Sequence, residues 1–202
     1  MIDDLDTLMV FSRELARANP RLRNEILREP GLDESDVARL KDHINGIPDE
    51  YLSCLRRFDL SNVRIGFFEL FPSLKNQTDI VESLIDANSR TSVIRDPWLQ
   101  HSIIAVGRHE VDPICIRSKF SPKSGEVVRI QLGHESEPIV RSLAVRFSVF
   151  LVLAGRLEEQ VCFGKQGSTG VGMFLEGLGR FQLNDEQKEQ WQYFAEAALV
   201  DS

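Results

Sequence analysis

Residues 102–132, "SIIAVGRHEVDPICIRSKFSPKSGEVVRIQL", decide the fold. Three short runs rich in β-branched residues lie in it: "SIIAVG" (102–107), "PICIRS" (113–118) and "EVVRIQL" (126–132). Each has the length and residue types of a strand. "KFSPKSG" separates the last two and holds the proline, serine and glycine of a turn, so those two form a hairpin. The spacing of His109, Asp112 and Cys115 by three would align them on a helix, but Pro113 and the β-branched "ICI" exclude one. Read as one strand of period two, the segment sends His109 and Cys115 to one face and Asp112 to the other.

Working outward, residues 63–70 ("VRIGFFEL") read as a further strand closed by "FPS". Residues 3–17 read as an amphipathic helix, with Asp3, Asp4 and Asp6 at its start and Arg13 and Arg17 near its end. A second helix covers 35–44, capped by Ser35. "GIPDEYLSCLRRFD" opens a third, with Pro48 at the first helical position and Tyr51, Leu52, Leu55 and Phe58 on one face. A fourth, over 79–87, has Thr78 as its cap. A long helix is expected over 140–160, with Val140, Leu143, Phe147, Phe150, Leu151 and Leu157 inward. "FGKQGSTGVGMFLEGLGRF" (163–181) reads as loops and short edge structure, because its glycines make ordering costly. A last helix, 185–199, has Asn184 as cap, Gln187 at its third position and an apolar stripe of Trp191, Phe194, Ala195 and Ala198.

Elements in this order do not alternate βαβα. They imply an α+β fold: an antiparallel or mixed sheet of about four to six strands, helices packed on one side, and helical additions at both ends. A domain over 1–162 with an extension over 163–202 follows from the change in composition after Cys162.

The 202 residues carry a net charge of −7, and no long segment is strongly basic, which argues against direct nucleic-acid binding. The N-terminal residues lack a charged leader and a long apolar run, and the run around residue 150 is too short to span a bilayer. A cytoplasmic protein with no membrane contact is expected. The three cysteines, Cys54, Cys115 and Cys162, lack paired spacing, so they read as free thiols rather than a disulfide framework or a zinc site. "GKQGSTGVG" fails the phosphate-loop pattern, since Gln166 follows the lysine. His134 stands beside Glu135 and Glu137 with no nucleophile near it in sequence. No catalytic residue, metal or cofactor is therefore expected.

Five segments occur in an order that resembles the SUKH superfamily (Smi/Knr-like proteins): "IPDEYLSCLRRFD", "IGFFELFP", "PWLQHSIIAVGRHEVDPICI", "GEVVRIQLGHESEP" and "IVRSLAVRFSVFLVLAG". The resemblance covers residues 35–160. It implies a non-enzymatic protein-binding domain, of the kind that serves in bacteria as an immunity protein against a nuclease- or deaminase-type toxin. The same resemblance leaves an intracellular scaffold or regulatory module as an alternative. A hydrolase using Cys115 or His134 stands as the reading from a different class. In the immunity reading, Glu110, Asp112, Glu135 and Glu137 are the acidic residues that would meet a basic protein partner, and the chain would be a monomer or weak homodimer. Where the family often has a glycine pair, Glu110 and Val111 stand. A different turn geometry is expected there, because residues with a side chain resist positive φ.

Overall fold

The computed structural model describes residues 1–70, 79–89, 102–132, 138–163 and 167–198. It is an α+β fold built on one six-stranded antiparallel meander: β1 (Arg64–Ile65), β2 (Phe68–Leu70), β3 (Ile103–His109), β4 (Asp112–Arg117), β5 (Val127–Gln131) and β6 (Ile139–Ala144), in spatial order β1 to β6. The strand pairing is wholly antiparallel rather than mixed. The hairpin expected across "KFSPKSG" is present, with Ile114 opposite Arg129 and Cys115 opposite Val128.

The described helices are α1 (Leu5–Ala18), α2 (Glu34–His43), α3 (Asp49–Arg57), α4 (Ile80–Ala87), α5 (Phe147–Leu157), α6 (Ser168–Gly177) and α7 (Asp185–Ala197). Their starts follow capping chemistry. Asp4 and Thr7 close a capping box on α1, and Asn184 and Gln187 close one on α7. Asp33, not Ser35, caps α2; its carboxylate takes the Asp36 amide at 2.9 Å and the Ser35 hydroxyl at 2.7 Å. Pro48 sits one residue before the first turn of α3 rather than inside it. Asp79 caps α4, while Thr78 lies outside the described residues.

Three expectations are corrected. Residues 63–70 are a tight hairpin rather than one strand. Gly66 adopts φ +58°, and Ile65 pairs with Phe68 across the two-residue turn. Residues 139–144 are strand β6, and the helix begins only at Phe147, so Val140 and Leu143 belong to the sheet. The apolar run fits both periodicities, and pairing with β5 decides for the strand. Third, α6 occupies part of the glycine-rich segment. There Gly177 permits a close approach: a β-carbon on it would lie 2.1 Å from Nη2 of Arg156.

One face of the sheet contributes Ile104, Val106, Ile114, Ile116 and Val127 to the main core, against α1, α3, α5 and α7. Phe68, Phe147, Phe150, Phe174, Trp191 and Phe194 are fully buried in it. Each such ring stabilises the fold by about 1.5–3 kcal/mol through burial. Trp191 and Phe194 make α7 part of this core. A smaller cluster, Ile103, Ala105, Cys115, Val128 and Ile130, lies on the opposite face.

Two side-chain devices complete the sheet. Asn88, at the end of α4, donates to Ala105 O at 3.0 Å and accepts from Ala105 N at 2.8 Å. It continues the ladder on β3 beyond Gly107, the last residue with a described partner on β2. Along β6, Trp191 donates to Leu143 O at 2.8 Å and Glu186 accepts from Ser142 N at 3.2 Å. Helix α7 thus satisfies a strand edge that would otherwise offer itself for pairing. No helix among the described residues is long and apolar enough to cross a membrane.

Candidate functional site

The polar segment singled out in the sequence is a hairpin. β3 runs past Gly107 to His109, Glu110 and Val111 form a two-residue turn, and β4 starts at Asp112, with His109 directly opposite Asp112. The chain reverses between these two residues, so they share a face. Cys115 occupies the other face, in the small apolar cluster. This overturns the expected arrangement of His109 with Cys115 and Asp112 apart, because the period-two argument holds only along a single strand. Glu110 adopts φ +54°. The turn therefore takes up positive φ without a glycine, contrary to expectation, and the strained residue sits at the solvent-exposed tip.

Asp112 is not a surface charge. It is buried, and its Oδ2 accepts from Arg129 Nε at 2.8 Å and pairs with Arg129 Nη2 at 2.6 Å. Its Oδ1 accepts from the Leu132 amide at 3.0 Å. The arginine side chain is itself buried and lies over the rings of Tyr193 and Phe194, at 5.5 and 5.4 Å from their centroids. His109 fills the space beside it, 4.9 Å from Phe194 and 5.7 Å from Phe68 between ring centroids. Burial, reinforced by the charge of Arg129, holds the imidazole below its ordinary pKa. A buried pair in which two guanidinium N–H groups converge on one carboxylate oxygen, set among aromatic rings, ties β4, β5 and α7 to one another.

The remaining candidates separate. Glu110 is exposed at the turn. Glu135, Glu137 and His134 lie outside the described residues. Cys115 is fully buried among apolar side chains, and burial pushes its thiol up to about 12, so it holds no thiolate to act as a nucleophile at neutral pH. Among the described residues no group of three or more His, Cys, Asp or Glu side chains converges on a position suited to a metal ion.

What the sequence did not single out is the apolar surface over this pair. Val111, Leu132, Tyr193 and Ile139 are 75%, 52%, 51% and 42% exposed. Each is tied to the pair or its strands: Val111 precedes Asp112, the Leu132 amide binds it, Tyr193 stacks on Arg129, and Ile139 pairs with Gln131 at the end of β5. The strand register places all four at the same end of the sheet or on the helix beside it, where they can offer apolar contact. Beside them lies a cleft of about 390 Å³ lined by Gly66, Phe67, Phe68, Arg64, Glu69, Arg108 and Glu110. Glu69 binds both Arg64 and Arg108 there. Burial alone would raise its carboxyl, but the two arginines hold it below the ordinary value. The surface thus has an apolar centre and a charged rim, the arrangement of protein interfaces.

No protein-family model matches this chain, and no curated protein or solved structure matches it.

Proposed function

We propose that the chain is a SUKH-like protein-binding domain, and that it acts as an immunity protein which binds and neutralises a toxin domain through the β3–β4 end of its sheet. The observation that carries this reading is the exposed set Val111, Leu132, Ile139 and Tyr193, mounted on the buried Asp112–Arg129 pair. Rigid backing matters, because a preorganised surface loses less entropy on binding. Val111 and Tyr193 are the apolar anchors, and Tyr193 belongs to a residue type favoured at binding hot spots. Glu110 and Arg108 stand at the rim, where charge steers encounter and selects partners more than it adds affinity. The cytoplasm is where such a protein would meet its toxin.

The test is growth rescue. The polypeptide encoded beside this chain's gene is expressed with and without it in a bacterial host, and the affinity of the two purified proteins is measured by calorimetry. Rescue together with tight binding is expected. Val111→Asp, at the exposed turn, should weaken binding at least tenfold while leaving the thermal midpoint unchanged; Tyr193→Ala should weaken binding as much and also lower the midpoint, since it removes the ring that stacks on Arg129. Rescue that survives both substitutions would remove this surface from the interaction, and a neighbour that neither harms the host nor binds would remove the immunity reading.

A further inference from the structure

A second surface, away from the sheet end described above, carries the opposite charge from the chain as a whole. Helix α1 and the turn that follows it, Pro20–Asn24, enclose with residues 26–29 a groove of about 580 Å³. Arg13, Arg17, Arg23 and Arg28 line it, and Glu29 is the one acidic side chain among its lining residues. That glutamate is already engaged, with Arg13 at 2.9 Å and Arg57 at 3.3 Å. Arg28 is likewise held by Asp59 at 2.7 Å. Arg17 and Arg23 are exposed and make no ion pair among the described residues. Both therefore present free guanidinium groups in a chain whose net charge is −7.

The floor beneath them is apolar. Met9, Ile26 and Leu27 are buried below the arginines, with Ala16 and Pro20 completing the wall. We infer that this groove binds a short acidic–apolar segment of another protein, its carboxylates on Arg17 and Arg23 and its apolar side chains on Met9 and Ile26. Guanidinium groups suit carboxylates because their paired N–H groups bind both oxygens at once. A nucleic-acid strand fits less well: its phosphates would run past the groove onto a surface whose charge is negative overall, and its bases would find no exposed ring among the groove's lining residues.

The experiment uses the full chain and a fluorescein-labelled peptide of alternating glutamate and leucine, followed by fluorescence anisotropy. Control probes are a glutamate–serine peptide, a lysine–leucine peptide, a single-stranded oligonucleotide and inorganic phosphate as competitor. Binding of the glutamate–leucine peptide is expected. It should weaken about tenfold when sodium chloride is raised from about 50 to about 500 mM. The double variant R17E/R23E should lose it at least tenfold, and R17K/R23K should lie between that variant and the wild type. The salt titration uses unaltered protein and so stands even if a variant misfolds. Equal binding of the glutamate–serine peptide would overturn the role of the floor. Equal or tighter binding of the oligonucleotide, or full competition by millimolar phosphate, would overturn the assignment to a protein segment. Self-association of the wild type, abolished by R17E/R23E in sedimentation experiments, would give the groove to a second copy of this chain and overturn the proposal as well.

Discussion

Replacing Asp112 with alanine tests whether the buried pair holds the sheet end together. The substitution removes two contacts to Arg129, at 2.8 and 2.6 Å, and the acceptor of the Leu132 amide. The guanidinium group stays behind, buried against Tyr193 and Phe194, with its Nη1 already lacking a hydrogen-bond partner. An uncompensated buried charge costs about 3–5 kcal/mol. The stranded amide adds about 1 kcal/mol, so the loss should reach about 4–6 kcal/mol, a large share of a typical domain's stability. Asp112→Asn keeps an acceptor for Leu132 and should cost less. The double variant Asp112→Leu with Arg129→Met removes both charges and replaces them with apolar volume, so it should recover to within about 2 kcal/mol of the wild type. Urea unfolding followed by the fluorescence of buried Trp191 measures all four proteins. A loss below about 1 kcal/mol for Asp112→Ala, or a double variant worse than either single one, would refute the structural role assigned to the pair.

Four further outcomes follow from the same physics. Glu158 accepts from the Gly66 amide, and burial raises its carboxyl from 4.5 to about 7; the folded state thus holds a proton that the unfolded chain releases, stability should fall by about 3 kcal/mol between pH 4.5 and 7, and Glu158→Gln should remove that decline in urea titrations at several pH values. Glu110→Gly relieves a left-handed residue at φ +54° and should raise stability by about 0.5–1 kcal/mol in thermal melts. Trp191→Phe keeps most of the packing but loses the bond to Leu143 O, so it should cost about 1–3 kcal/mol and speed hydrogen exchange in β6. In the native protein an aromatic disulfide reagent should titrate Cys162 alone of the three free cysteines, and slowly, since burial and the charge of Glu158 push its thiol up to about 11; all three should react after denaturation, because Cys54 and Cys115 are buried in the fold.

Much of the fold is legible in the sequence because it rests on local chemistry. The capping residues Asn184 and Gln187, the face of Tyr51, Leu52 and Leu55, and the turn residues of "KFSPKSG" each fix an element through contacts a few residues apart. The failures occur where a tertiary partner decides. "IVRSLA" becomes strand β6 because β5 and the side chains of α7 supply its hydrogen bonds. Ser168–Gly177 is a helix whose last glycine admits the Arg156 side chain, a packing role that glycine composition does not display. Gly66 is the exception: a glycine inside a strand-like run is itself a signal for a turn.

The candidate site was half legible for a related reason. Sequence reading treats every acid near a turn as a free charge, yet Asp112 starts a strand opposite His109 and faces Arg129 on the neighbouring strand, so its charge is consumed within the fold. The exposed side chains beside it are instead apolar, and Val111 and Tyr193 become conspicuous only when exposure is known. The arginine groove escaped for a question of scale. Averaged over sixty residues the N-terminal part of the chain is acidic, whereas residues 13–28 alone hold five arginines and two glutamates. Helix α1 and the turn after it gather four of those arginines around one groove. Charge read over long windows describes solubility; the field that a partner meets is set over a Debye length of about 8–10 Å, and there this acidic protein is locally basic.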